Sequence, residues 1–176
     1  HTAHDGEALL RRDLCEEALR LCERLLCDAR TTSPTTHALA ALFCFHSSRF
    51  DARTGVDGMP VRLAEQDRTR WSHAAIEEGV ALITATLARG AVGPYQLQAE
   101  IAAQHAMAPS PDATDRAYIV ELYDRLTSIH PAPVVRLNRA VAVFEAFGAT
   151  EGLAALGDLA GELDGYHAFH LARSEM

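Results

Sequence analysis

Helix-forming segments restart at a regular interval in the second half of this chain, and that interval constrains the fold more than any other feature. Residues 95–107 are predicted to form one inner helix, and residues 133–147 form a second about 38 residues further on. A third begins at Gly165. This period is typical of stacked helical hairpins, each of which buries its apolar face only against a neighbour. The pattern predicts an all-α fold that serves as a docking surface.

Prolines and small residues place the turns of these hairpins. Pro131 stands where a tetratricopeptide (TPR) repeat has its turn proline, and Ala140 stands where that repeat needs a small residue between its two helices. The Trp-x-x-Leu-Gly-x-x-Tyr opening of the repeat is absent. The segments therefore resemble degenerate TPR repeats, and we predict a TPR-like helical-hairpin array of about eight helices. We expect a single domain over residues 1–176.

Apolar periodicity and capping residues predict the individual helices. The first, from Ala8 to Arg30, has two apolar sides and is expected to be buried between two neighbours. Its core stripe is Leu10, Leu14, Ala18, Leu21 and Leu25, and its second side is Leu19, Cys22 and Leu26. The later helices are predicted to begin at Pro34, Asp67, Pro94, Pro111, Val134, Thr150 and Gly165, with Ser33 and Ser110 as caps. The helix over 134–147 is apolar almost all round, which predicts a central position.

One segment departs from the helical pattern. Residues 50–64 contain Asp57-Gly58, a turn signal flanked by aliphatic residues. Either a short inserted hairpin or an irregular loop fits this pattern.

Composition argues against several classes of protein. The formal net charge is −8, and an acidic domain repels the phosphate backbone, so direct DNA binding by this domain is not expected. No apolar run approaches the ~20 residues of a membrane helix, and no signal-peptide pattern is present, which predicts a cytoplasmic protein without membrane contact. All 16 basic residues are Arg, which suits bidentate contacts to carboxylates at a protein interface.

The residues of catalytic and metal sites are not found in recognisable patterns. The four cysteines form no C-x-x-C pair and are expected to be small buried hydrophobes: Cys15, Cys22, Cys27 and Cys44. His167 and His170 could share a metal, but no third ligand is identifiable. The H-E-x-x-H and G-x-S-x-G elements of hydrolases are absent. We therefore expect no enzymatic activity, no metal and no cofactor.

Six segments spread over nearly the whole chain carry a more specific resemblance. They are RDLCEEA at 12–18, EQDRTRW at 65–71, GPYQLQA at 93–99, LYD at 122–124, PVVRLNRAVA at 133–142 and LDGYH at 163–167. In order and spacing they resemble the large C-terminal extension of one group of bacterial extracytoplasmic-function (ECF) RNA polymerase sigma factors.

The resemblance implies a TPR-like regulatory module that follows sigma regions two and four in a longer polypeptide. Its implied partners are those two sigma regions, the RNA polymerase core or a regulatory protein, and its implied role is to modulate transcription initiation. The residues alone leave two alternatives open. One is a stand-alone TPR adaptor, and the other is a small-molecule sensor or enzyme with a cavity around His105, Tyr123 and Asn138.

Asp67, Arg68 and Trp71 are the first candidate partner-binding residues, at the start of a predicted helix. In one interpretation, Arg68 binds a carboxylate and Trp71 anchors a partner. In the other, Asp67 is a helix cap and Trp71 is a core residue.

Tyr95, Gln98 and His105 form a second group, roughly on one face of the fourth helix. They either contact a partner in the groove of the array or hydrogen-bond to the neighbouring hairpin.

Asn138 and Arg139 form a third group, within the most apolar helix, where a polar pair is costly unless it is satisfied. Asn138 either binds the backbone of a ligand or ties two helices together. Arg139 either acts as a charge clamp or pairs with Asp115 or Asp124.

Overall fold

Helices form most of the chain in the computed structural model, which describes residues 12–88, 90 and 92–176. The α-helices in these ranges are α1 (Arg12–Cys27), α2 (Pro34–Ser47), α3 (His73–Leu87), α4 (Pro94–Met107), α5 (Arg116–Ile129), α6 (Pro133–Phe147), α7 (Ala149–Leu156), α8 (Ala160–Leu163) and α9 (His167–Glu175). No strand occurs in the same ranges, so the prediction of an all-α helical-hairpin array is confirmed. The predicted seventh helix is divided into α7 and α8 by a 3-10 turn over Gly157–Leu159.

The chain divides into two compact units, one ending at Asp112 and the other running from Ala113 to Met176. The first contains α1 to α4 and the second contains α5 to α9. The expectation of one domain over residues 1–176 stays a prediction. In the described part of the chain, none of the helices has both the length and the apolar character that a bilayer crossing requires.

The first unit is organised by α2, which packs against α1, α3 and α4. This helix starts as predicted, because the Ser33 hydroxyl accepts the Thr36 N–H and Pro34 occupies the first turn. Gly79 of α3 lies so close to the Phe45 ring that an added Cβ would come within 2.8 Å of it. The core consists of small and large apolar side chains: Ala41, Leu42, Phe45, Ile83, Ala99, Ala103 and Ala106.

In the second unit, α6 packs against both α5 and α7, in agreement with its predicted central position. Here too a glycine allows a close helix contact, since a Cβ on Gly152 of α7 would lie 2.6 Å from the Cβ of Phe144. The core of this unit is Leu137, Ala140, Leu156, Leu159, Leu163 and Phe169.

The first helix differs most from its prediction. Its second apolar side faces α2 and contributes the buried Cys22. Three leucines of the predicted core stripe are more than two-fifths exposed: Leu14, Leu21 and Leu25. The prediction of burial on two sides is therefore wrong for the described part of α1, because this helix packs mainly on α2. Leu10 and the predicted start at Ala8 lie outside the described residues.

The predicted start of the third helix is also wrong. Asp67 caps a 3-10 turn over Arg68–Arg70, and α3 begins only at His73. Ser72 caps it by accepting the N–H of Ala75. Two capping residues follow each other here, and the helix starts after the one that precedes the apolar stripe.

The fifth helix repeats this difference. Ser110 and Pro111 were expected to begin it, but a 3-10 turn occupies Pro111–Ala113. Helix α5 starts at Arg116, and the Asp115 side chain caps it by accepting the N–H of Tyr118.

The segment between α2 and α3 is mostly an irregular loop, one of its two predicted forms. The hairpin alternative is reduced to a single antiparallel bridge between Thr54 and Pro60. The Asp-Gly turn signal is used, because Gly58 has a φ of 77° and the Asp57 carboxylate accepts the N–H of Met59 at 3.0 Å.

The cysteines fit their prediction only in part. Cys22 and Cys44 are buried, and burial raises the pKa of Cys44 to about 12. Cys15 is half-buried. Cys27, however, is exposed, so the prediction of burial is wrong there.

Candidate functional site

Trp71, the only tryptophan of the chain, is held by the turn that precedes it. The Asp67 carboxylate accepts the N–H of Thr69 at 3.0 Å and closes this turn. Ser72 donates its N–H to the carbonyl oxygen of Ser48 at 2.8 Å, which ties the turn to the end of α2. Trp71 is only 4% exposed. The structure thus places Asp67 as a cap and Trp71 among buried residues.

Arg68 connects the same turn to the end of α4. Its Nη1 donates to the carbonyl oxygens of His105 and Ala108, at 2.9 and 2.8 Å. These bonds satisfy acceptors at the helix end, where the helix itself supplies no N–H. The guanidinium group also lies over the Trp71 ring, 4.4 Å from its centre, as a cation–π contact. Arg68 therefore uses part of its hydrogen-bonding capacity to hold the first unit together.

A groove of about 470 Å³ lies beside Arg68 and Trp71. The lining is mostly apolar and comes from the turn, α3 and the end of α4: Trp71, Ile76, Val80, Met107 and Pro109. Two N–H groups of its lining residues, Arg68 Nε and Trp71 Nε1, are buried and have no acceptor in the described structure. A buried donor without an acceptor costs free energy. The groove thus offers apolar surface, and two of its lining residues keep a solvent-inaccessible donor that the described structure leaves without an acceptor.

Further basic side chains lie at the end of α2, on a turn that packs against the Arg68 turn. Arg49 Nη2 and Arg53 Nη2 lie 3.1 and 3.4 Å from Nδ1 of His46. A guanidinium group can only donate, so this imidazole nitrogen accepts and His46 is neutral. The surrounding protein and the two positive charges lower the pKa of His46 to about 4.

Arg49, Arg53 and Arg68, here called the arginine cluster, have no carboxylate partner among the described residues. Other arginines in that part of the chain do form salt bridges, among them Arg12, Arg20, Arg30, Arg136 and Arg139. Burial and the positive charges of Arg53 and Arg68 lower the pKa of Arg49 to about 10. Burial also lowers the pKa of Arg53 and of Arg68. All three stay cationic at neutral pH, so like charges are neighbours in a chain whose net charge is −8.

The predicted residues of α4 occupy different surroundings. Tyr95 is exposed and borders a separate cavity of about 80 Å³. Gln98 and His105 are half-buried. Of the three, His105 is the one joined to Arg68, through its backbone carbonyl. Partner contact by Tyr95, Gln98 and the His105 side chain stays a prediction.

In the second unit, Asn138 is exposed and lines a groove of about 240 Å³ between α6 and α9. Arg139 hydrogen-bonds to Asp124 of α5, one of its two predicted acidic partners. Tyr123 does not line this groove, and burial followed by the charge of Glu145 raises its pKa to about 12. His105, Tyr123 and Asn138 thus fall in two units.

The predicted histidine pair lies on α9. His170 Nε2 is 2.6 Å from the carbonyl oxygen of Asp164, so this ring contacts the nearby backbone. Within the described ranges, no group of three or more His, Cys, Asp or Glu side chains is placed to hold a metal ion.

The basic residues at the end of α2 are not among those predicted from the sequence. Their signal is the run HSSRFDAR at 46–53, in which His46, Arg49 and Arg53 recur at spacings of one helical turn. The single acid of this run, Asp51, pairs with Arg12 at 2.7 Å and leaves the other arginines uncompensated.

A buried polar pair in α4 was missed as well. Gln96 donates from Nε2 to Oε1 of Glu100 at 3.1 Å, and both side chains are buried. The sequence singles out the neighbouring Gln98 because of its spacing to His105, whereas Gln96 faces the interior.

Comparisons with known proteins give one family model and one curated relative. The model, described as a family of unknown function (DUF6596), matches residues 1–87. The relative, a protein of Rhizobium meliloti (strain 1021) described as uncharacterized, is 41% identical over 170 residues. The match covers 97% of this chain and 40% of the relative, so the chain spans well under half of that protein's length. No solved structure matches. The family match includes the arginine cluster and Trp71.

Proposed function

We propose that this chain is the C-terminal regulatory interaction domain of an ECF sigma factor. In this role it modulates transcription initiation in the cytoplasm by contacting sigma regions two and four, the RNA polymerase core or a regulatory protein. It acts without enzymatic chemistry, without a cofactor and without binding DNA itself. The six segments of similar sequence support the sigma-factor assignment, and their order and spacing run through both units.

The groove beside Arg68 and Trp71 is the observation that supports an interaction role. It is open, its lining is mostly apolar, and two of its lining residues, Arg68 and Trp71, each have a buried N–H without an acceptor in the described structure. A protein partner supplies both apolar side chains and carbonyl oxygens, which complement such a surface. The length of the Rhizobium relative is compatible with the proposal, because the larger part of that protein lies outside the match and has room for further domains.

A binding experiment tests this function. The 176-residue chain is immobilised, and sigma regions two and four from the same polypeptide, and core RNA polymerase, are passed over it separately. We expect retention of at least one of them. Met107→Lys changes an exposed side chain of the groove and should weaken retention several-fold, because it places a charge in the apolar lining. Leu153→Lys, a change at a similarly exposed side chain on α7, is the matched control.

The outcome separates the rival functions. A reading frame without sigma regions upstream, together with no retention of polymerase, would favour a stand-alone TPR adaptor. A metabolite that raises the melting temperature would favour the small-molecule sensor, because a ligand stabilises the folded state that binds it. Reporter output of the full polypeptide that responds to Met107→Lys but not to Leu153→Lys would support the regulatory role.

A further inference from the structure

We propose that the groove and the arginine cluster together bind a peptide segment of a protein partner in which acidic residues lie beside an apolar residue. This inference rests on the proposed interaction role and specifies the chemistry of the partner. The apolar residue occupies the groove next to Trp71, and the acidic residues face Arg49, Arg53 and Arg68.

No carboxylate among the described residues neutralises the arginine cluster. Arg49 and Arg53 share one neutral acceptor, His46, and Arg68 uses its Nη1 on two backbone carbonyls. These contacts neutralise no charge. Other arginines of the described chain have carboxylates at 2.6–2.7 Å, as Arg20 has Glu17 and Arg136 has Glu162. Three half-buried guanidinium groups without such a partner attract an anion, and a carboxylate matches their planar donors.

Two residues that line the groove have N–H donors without acceptors in the described structure. The donors are Arg68 Nε and Trp71 Nε1, both of them buried, and Arg68 is also a member of the arginine cluster. These atoms are closed to solvent, so an oxygen in the groove would accept from them only after the Arg68 or Trp71 side chain turns towards it, and that bond would relieve the cost of the unpaired donor. Backbone carbonyl and carboxylate oxygens of a peptide are such acceptors.

The lining of the groove carries charges of both signs beside its apolar surface. Arg68 lies in its lining, and so does Glu77 of α3, whose carboxylate adds the opposite charge. Ile76, Val80 and Met107 provide apolar surface in the same groove. A ligand that is acidic throughout would meet Glu77, so the acids must lie near the arginine cluster and away from Glu77. A short apolar segment with acids on one side satisfies this pattern.

A peptide fits these features better than a nucleic acid does. Nucleic acids are uniformly anionic and are repelled by a chain of net charge −8. A small free anion would leave the apolar lining without a partner. The arginine cluster is too small for a long polyanion, whereas a few carboxylates suffice to neutralise it.

A peptide-display selection tests the proposal with random peptides in place of the natural partner. A library of short peptides is selected on the wild-type 176-residue chain and, in parallel, on the double variant Arg49→Gln/Arg53→Gln. The wild type should enrich Asp and Glu next to a Leu, Ile, Phe or Met position, and the double variant should lose the acidic enrichment. Selected peptides without acids, or equal enrichment on both proteins, would overturn the proposal.

Affinity and location are then measured on the enriched peptides. Trp71 is the only tryptophan, so its fluorescence reports binding at the groove. We expect a change in Trp71 emission on titration, and about a tenfold weaker Kd for the double variant, as is typical when desolvated charge pairs are lost. Arg125→Gln, an exposed arginine of the second unit, removes a charge elsewhere and should leave the Kd unchanged.

Competition experiments test whether a ligand of another class binds at the site instead of an acidic peptide. Replacing the peptide acids by Asn and Gln should abolish binding, and raised salt should weaken it. Displacement of the peptide by inorganic phosphate at low concentration, or stronger binding of single-stranded DNA than of the peptide, would contradict the proposal. If the display result is negative while sigma regions or polymerase are still retained, the proposed function stands and only this inferred chemistry fails.

Discussion

Arg68 and Arg49 carry the same charge but contribute to folding in different ways. Arg68 donates to two carbonyl oxygens at the end of α4 and stacks on Trp71. Arg49 shares an imidazole nitrogen with Arg53 and has positive charges as its electrostatic neighbours. Loss of the Arg68 side chain removes attractive contacts, whereas loss of the Arg49 side chain removes electrostatic repulsion as well as one hydrogen bond.

This difference predicts unequal effects on stability. Arg68→Gln should lower the free energy of unfolding by about 2 kcal/mol, because charged hydrogen bonds and a cation–π contact are lost. Arg49→Gln should change it by less than about 0.5 kcal/mol, because the amide can still donate and a like charge disappears. Urea denaturation followed by circular dichroism measures both. Equal losses from the two variants would contradict the assigned roles.

Between helices, one close contact in each unit depends on a glycine that packs against a phenylalanine. Gly79 of α3 meets the ring of Phe45, and Gly152 of α7 meets the Cβ of Phe144. Glycine normally weakens a helix interior by about 1 kcal/mol relative to alanine. It is favourable here because it allows the two helices to approach.

A paired substitution tests this explanation. Gly79→Ala should destabilise the first unit by about 1–3 kcal/mol, since the Phe45 ring is buried and has little room to move. Gly161→Ala is the control, because nothing lies within 4 Å of its added Cβ. It should be neutral or stabilising by up to about 1 kcal/mol. Thermal unfolding compares the two, and a neutral Gly79→Ala would show that the ring can shift.

Elements whose signals are local could be predicted from the sequence. The Ser33 cap and Pro34 start of α2, and the apolar run of α6, depend on neighbouring residues and agree with the structure. The exposed stripe of α1 depends on which helices pack against it, and periodicity alone does not contain that information. The start of α3 required a choice between two successive caps, Asp67 and Ser72, which local preference does not decide.

The candidate site was predictable only in part, for a related reason. The segment 65–71 attracted attention through its mixed charges and its single tryptophan. Its contacts with the end of α4 join residues about 40 positions apart, as in the bond from Arg68 to Ala108. The arginine cluster likewise combines two turns that are separated in sequence. Such a site becomes visible only when the packing of the first unit is known.

At the scale of the whole molecule, acid should destabilise this protein in two separate pH ranges. Exposed carboxylates have pKa values lowered by hydrogen bonds and by arginines, as Asp51 has through Arg12 and Asp67 through Thr69. The stability that these carboxylates contribute is lost as the pH falls below their ordinary pKa towards the lowered one. His46 affects the folding stability at higher pH. Its pKa falls from 6.5 to about 4 on folding, so between these values the unfolded chain binds a proton that the folded chain does not.

Because the unfolded chain binds this extra proton, the folding stability should decrease as the pH falls. As the pH falls from about 6.5 towards 4, wild type should lose stability progressively, and His46 should add no further loss below that range. His46→Gln keeps a hydrogen-bond acceptor near Arg49 and Arg53 but does not titrate, so its stability should stay flatter over the same range. Denaturation midpoints from about pH 7 to about pH 5 measure the effect. A His46→Gln slope equal to that of the wild type would mean that folding does not change the proton affinity of His46.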